Sequence, residues 1–135
     1  MILGLGVDLC SVPRMQKAIR SGHFVRRIFR PHEIAYADGK GNERARAASY
    51  ASAFAAREAF AKASGISMYK LALASDIFLE RLENEGIPRL VVPAELDASF
   101  SDGRKRAWVS LSHDGDYAVA VVLIEALCDF GQVNA

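Results

Sequence analysis

The sequence predicts an α+β fold in which one long helix packs on an antiparallel β-sheet. Three observations carry that prediction. An apolar run at residues 2–9, interrupted by Gly4 and Gly6, opens the chain. An alanine-rich stretch with high helix propensity fills 43–64, between Asn42 and Gly65. Two apolar runs, 106–113 and 117–124, are joined by Asp114-Gly115-Asp116, and Asp-Gly between such runs signals a hairpin. A strand, then helices, then a long helix and a β meander is the order of an α+β domain. The 135 residues are read as one domain, 1–135. A chain of that size buries roughly two-thirds of its unfolded surface, enough for a core of its own.

The elements follow in order. Ser11 caps a helix with Pro13 in its first turn, running to about Arg20 and stopping near Gly22. Residues 23–29 and 31–37 form two short helical segments, and 38–42 are a loop. Asn42 caps the long helix, Glu43 suits its first turn, and Gly65 ends it. The second half reads as β: 76–83 alternates, Asn84-Glu85-Gly86 turns, and 88–92 is a short strand. Residues 95–102 include one helical piece before the final hairpin.

Composition narrows the function classes. Apolar residues at 51% and charged residues at 24% exclude disordered and fibrous chains. No apolar run approaches the roughly 18–20 residues that span a bilayer, so no membrane partner is expected. The opening run lacks a basic flank and meets Asp8, which reads as a strand and not a signal peptide. Two cysteines, Cys10 and Cys128, make no disulfide framework, and a reduced, cytoplasmic setting fits. Residues 1–62 hold eleven Lys/Arg against five Asp/Glu, whereas 63–135 hold six against eleven. The basic excess is densest from Arg14 to Arg30, through Lys17, Arg20, Arg26 and Arg27. Such a stretch is either a solvated face or a surface that steers an acidic partner.

Three islands carry candidate chemistry. Asp8 sits at the end of an apolar strand, where an acid needs a partner or a cation. Alone it reads as a helix cap or a pair with Arg14. Tyr50, Phe54, Glu58 and Lys62 recur at i, i+4 and form one ridge. Glu58 and Lys62 make an ordinary helix ion pair, unless the aromatic ridge keeps them from water. Ser112, His113 and Asp114 contain hydrolase residue types, but neighbours in a strand face opposite sides, and no Gly-x-Ser-x-Gly elbow is present. A polar strand end of this kind suits a phosphate. Taken together, two carboxylates, a lysine one turn on and a Ser-His strand end suit a Mg²⁺-bound diphosphate. Mg²⁺ commonly takes one or two carboxylates plus substrate phosphates.

At these residues the sequence resembles the holo-acyl-carrier-protein synthases, the small 4′-phosphopantetheinyl transferases. The resemblance rests on GLGVDLCSVPR, RRIFRPHE, FAAREAFAKA, EGIPRL, and SLSHD followed by YAVAVV, in family order. It implies a single-repeat 4′-phosphopantetheinyl transferase-like fold. The implied enzyme moves 4′-phosphopantetheine from coenzyme A to a serine of apo acyl carrier protein, in fatty acid biosynthesis, and releases adenosine 3′,5′-bisphosphate. Asp8 and Glu58 would be the Mg²⁺ ligands and, with Lys62, the catalytic set. Lys62, Gly65, Gly86, Pro88, Ser112 and His113 would bind coenzyme A. Arg14, Lys17, Arg20, Arg26 and Arg27 would dock the acidic carrier protein. A homotrimer with sites between subunits is implied as well. Cys10 stands where larger, broad-range relatives carry a further acid. Arg57 replaces a usual lysine, and Arg30 replaces a usual Thr or Ser cap. The rival readings are a broad-range carrier-protein transferase, a nucleic-acid-binding module using the basic helices, and a small non-catalytic interaction domain.

Overall fold

Gly4 and Gly6 set the distance on which the whole architecture depends. They lie in β1 (Ile2–Ser11), directly beneath α4 (Glu43–Ser64). A Cβ on Gly4 would sit 1.9 Å from the Ala63 carbonyl oxygen, and one on Gly6 would sit 2.0 Å from that of Ala59. The helix answers with small side chains: Ala51, Ala55, Ala56 and Ala59 are fully buried. Glycine against alanine lets helix and strand approach closely. The computed structural model of the chain describes residues 1–74, 77–81 and 86–127.

Between β1 and α4 the chain forms α1 (Val12–Ala18), α2 (Gly22–Ile28) and α3 (Pro31–Asp38). Ser11 caps α1 by accepting from Arg14 N–H at 3.3 Å. Ser21 caps α2 through Phe24 N–H at 3.2 Å, so Gly22 begins a helix instead of only ending one. Asn42 caps α4 through Ala45 N–H at 2.8 Å, and Gly65 ends it in the left-handed conformation with φ 74°. Beyond it come α5 (Met68–Ala74), β2 (Phe78–Arg81), β3 (Pro88–Val91), α6 (Ala98–Ser101), β4 (Lys105–Asp114) and β5 (Tyr117–Ala126).

The sheet order is β1-β5-β4, antiparallel throughout, with the Gly115-Asp116 turn closing the hairpin. The α+β class and the long helix on an antiparallel sheet are as the sequence predicts. Two details differ. Residues 68–74, to which the sequence reading assigns no element, are helical; Ser67 Oγ accepts from Lys70 N–H at 3.2 Å and starts that turn. Strands β2 and β3 form a separate two-stranded ribbon instead of joining one continuous meander. The expected helical piece at 95–102 shrinks to α6. The ends of the 76–83 strand, Asn84 and Glu85 of the turn, and Cys128 lie outside the described residues.

The two faces of the sheet differ. Ala118, Ala120, Val122 and Ile124 face the helix and are buried. The opposite face aligns Leu5 with Leu123 and Trp108, Val7 with Val121 and Ser110, and Leu9 with Val119 and Ser112. Leu5, Val7 and Leu9 are 65%, 54% and 60% exposed, so an apolar sheet face is uncovered in the single chain.

Candidate active site

Asp8 shares the helix-facing side of β1 with Gly4 and Gly6. The close approach at Gly6 brings the last turns of α4 over the strand. Lys62 Nζ donates to the Val7 carbonyl at 2.9 Å and to Asp8 Oδ1 at 3.2 Å. The Asp8 side chain is 17% exposed and that of Lys62 is 55% exposed. One turn back on the ridge, Glu58 is half-buried. Asp8 and Glu58 line a single cavity of about 350 Å³ with Cys10, Arg14, Phe24 and Phe54.

This geometry decides between the alternatives. Ser11, not Asp8, caps α1. The described ion pair of Asp8 is with Lys62 and not Arg14, and Lys62 reaches across to the strand instead of closing a pair with Glu58. The ridge keeps Tyr50 from water but leaves Lys62 largely wet, so desolvation is a weaker factor at its far end than the sequence suggests.

The electrostatics match. Burial raises the Glu58 carboxyl above the usual range, the charge of Asp8 raises it further, and Lys62 opposes the shift. Burial, with help from Asp8, pushes the Cys10 thiol up to about 11. Two carboxylates on one cavity, one of them already holding an ammonium, form a site for positive charge. Among the described residues no group of three or more His, Cys, Asp or Glu could hold a metal. A divalent ion at Asp8 and Glu58 would therefore complete its shell with water and substrate oxygens, which suits Mg²⁺ and not a site built wholly of protein ligands. The residues present fit the ion.

The other expected residues fall elsewhere. Gly65 ends α4 just past Lys62. Gly86, with φ 65°, lies two residues before the ribbon's second strand, which Pro88 begins. Ser112 is exposed on the open sheet face, whereas His113 faces the helix side. His113 lines a second cavity of about 300 Å³ with Lys40, Ser49, Ser52 and Arg81, next to the N-terminal half of α4. A single chain thus carries Asp8 and Glu58 in one cavity and His113 in another. Arg14 borders the first cavity; Lys17, Arg20, Arg26 and Arg27 are exposed on α1, α2 and the turn between them.

Sequence reasoning missed Lys40 and Arg81, whose cationic ends lie 4.2 and 4.3 Å from the Tyr36 ring centre. It also missed Glu33. That acid accepts from Arg30 N–H at 2.9 Å, which supplies the cap that Arg30 itself lacks, and it pairs with Arg57. The signal was available: an acid three residues after the N-cap is half of a capping box.

The fold and this strand-helix carboxylate pair define a known class. The chain belongs to the 4′-phosphopantetheinyl transferase superfamily, whose family model matches residues 4–122. It is a transferase, similar in particular to the holo-[acyl-carrier-protein] synthases. The synthase of Geobacter sulfurreducens is 35% identical over 128 residues, covering 93% of this chain and 98% of its own. That of Anaeromyxobacter dehalogenans is 40% identical over 131 residues, covering 93% and 97%. The crystal structure of the Bacillus anthracis synthase in complex with CoA (3′,5′-ADP) superposes with a TM-score of 0.76 at 29% identity, covering 94% of this chain and 99% of that one. The Neisseria meningitidis synthase gives a TM-score of 0.73 at 29% identity, covering 93% and 99%. The resemblance read from the motifs is borne out. Among the described residues no helix is long and apolar enough to cross a membrane.

Proposed function

We propose that this transferase moves 4′-phosphopantetheine from coenzyme A to a serine of apo acyl carrier protein in the cytoplasm. The products are holo carrier protein for fatty acid biosynthesis and adenosine 3′,5′-bisphosphate. The observation that carries the proposal is the shared cavity of Asp8 and Glu58, with Lys62 bonded to Asp8 at 3.2 Å. Coenzyme A is the ligand named in the Bacillus anthracis complex, and the whole of residues 1–135 acts as one catalytic domain.

Asp8 and Glu58 would hold Mg²⁺. Bound there, the ion would neutralise diphosphate charge and orient the reacting phosphorus. The chain's own residues do the rest. Lys62, on a flexible stem at the cavity edge, moves from Asp8 to a phosphate oxygen and stabilises the charge that grows on the departing bridging oxygen. The carrier serine hydroxyl oxygen forms a bond to the phosphorus that bears pantetheine, the bond from that phosphorus to the bridging oxygen breaks, and the serine proton is released to solvent. Positioning supplies most of the rate, as in phosphoryl transfer generally. Gly65, Gly86 and Pro88 line the nucleotide, and Arg14 with the exposed basic residues of α1 and α2 docks the acidic carrier beside the cavity.

Ser112 and His113 serve coenzyme A from a neighbouring subunit in a homotrimer. Two features support this: the separate cavity of His113, and the exposed Leu5, Val7 and Leu9 face, which an assembly would cover. The test is incubation with coenzyme A, Mg²⁺ and apo acyl carrier protein, read by intact mass. The reading predicts a carrier heavier by one phosphopantetheine; an unmodified carrier overturns it.

A further inference from the structure

Glu33 is buried, and the proposed chemistry leaves it unused. Its side chain is 4% exposed and that of Arg57 is 6% exposed. Arg57 grips it with both terminal nitrogens: Nη1 donates to Oε2 at 3.0 Å, and Nη2 donates to Oε1. Two backbone groups complete the carboxylate's shell. Arg30 N–H donates to Oε1 at 2.9 Å and Leu79 N–H to Oε2 at 3.1 Å. Arg57 Nη1 also donates to the Ala53 carbonyl at 3.0 Å. A buried ion pair is weak evidence for stability, since apolar substitutes often serve as well. What this pair does is join three elements at one point: the start of α3, the α4 residue beside Glu58, and β2.

His32 reinforces the tie. Its Nε2 lies 3.1 Å from the Leu79 carbonyl oxygen, so adjacent side chains of α3 hold both polar backbone groups of Leu79. Among the described residues β2 and β3 hydrogen-bond as strands only with each other, and the ribbon is held by packing on α3, α4 and β4 with Leu79 and Leu90 buried; the Glu33 and His32 bonds fix its α3 side. The same ribbon carries Gly86 and Pro88.

The geometry points to Glu33 and Arg57 as positioning residues for coenzyme A. They dock the β2–β3 ribbon on the helix that presents Glu58 and Lys62, and so fix the span from Gly86 and Pro88 to the cation site. This rests on the assignment of Gly86 and Pro88 to coenzyme A made above. In this chain the planar fork of Arg57 reaches both carboxylate oxygens, whereas lysine would keep the charge but bond at one point.

The test compares Glu33→Gln, Arg57→Lys and His32→Ala with the wild type. The measurements are coenzyme A affinity by calorimetry, kcat, KM for each substrate, and thermal melting. Loosening a supporting contact by an ångström is enough to matter, so Glu33→Gln and Arg57→Lys should raise the coenzyme A Kd and KM about fivefold or more. The carrier KM and kcat should stay within about twofold, because neither substituted side chain touches the carrier or the reacting atoms. His32→Ala removes an exposed ring and should move coenzyme A KM in the same direction by less. Unchanged coenzyme A affinity in variants that melt cooperatively overturns the inference. So does an equal loss for both substrates and kcat, the mark of general loosening. If the buried variants fail to fold, His32→Ala decides, and an unaltered coenzyme A KM overturns it. A wild type that binds coenzyme A but transfers nothing counts against the proposed function alone, and calorimetry still reads the positioning role.

Discussion

Asp8 raises the cost of ionising Glu58, and that cost is the residue-scale signature of a site kept for binding. Glu58 titrates above the ordinary carboxylate range because burial and Asp8 both disfavour its charge. A carboxyl raised on folding contributes stability when protonated, and loses it as pH climbs through its folded pKa. At neutral pH without metal, Glu58→Gln should therefore melt no lower than the wild type, while transfer is abolished. A melting temperature clearly below wild type would show the charge to be structural. Without metal, Glu58 should take up its proton at a higher pH than an ordinary glutamate, as NMR titration of its carboxyl reads. Asp8→Ala should likewise fold and fail to transfer; full activity removes it from the cation site. Cys10 is predicted to react slowly with iodoacetamide at pH 7.5, because a thiol pushed to about 11 holds little thiolate there. Rapid alkylation would contradict that environment. These side chains were legible in the sequence as an acid ending an apolar strand and a charged continuation of an aromatic ridge. Glu33 was legible only as a cap, because a first-turn glutamate looks the same whether it caps in water or is buried against a distant arginine.

At the scale of elements, the contact between β1 and α4 decides the site. Gly6→Ala would set a methyl 2.0 Å from the Ala59 carbonyl, and backbone cannot yield as a flexible side chain can. Overpacking of this kind costs roughly 1–3 kcal/mol, and displacing the helix also moves Lys62 from Asp8. Chemical denaturation should show that loss, together with transfer reduced beyond what the folded fraction explains. A variant of wild-type stability and activity would mean the helix can shift freely. The long helix and final hairpin were readable because caps, glycine stops and strand alternation all agreed over many residues. The short α5 was not, since an apolar run of its length fits a strand as well as a helix. The split between ribbon and sheet was invisible because pairing is a long-range choice that alternation alone does not specify.

At the scale of the whole molecule, the proposed partners rest on the basic residues of α1 and α2 and on the open sheet face. Charge reversal at Arg14, Arg20 and Arg26 should raise the KM for carrier protein, steepen with falling salt, and spare coenzyme A binding. Equal losses for both substrates would dismiss the docking face. Leu5→Glu and Val7→Glu should yield a folded monomer in sedimentation, with activity lost because His113 no longer reaches a neighbour's cavity. An active monomer would mean one chain holds a complete site. The most direct test of the central claim counts Mn²⁺ bound to the coenzyme A-loaded protein by electron paramagnetic resonance, in wild type, Asp8→Asn and Glu58→Gln. The account predicts one ion per chain in the wild type and loss of that ion in each variant; equal occupancy in all three would contradict it.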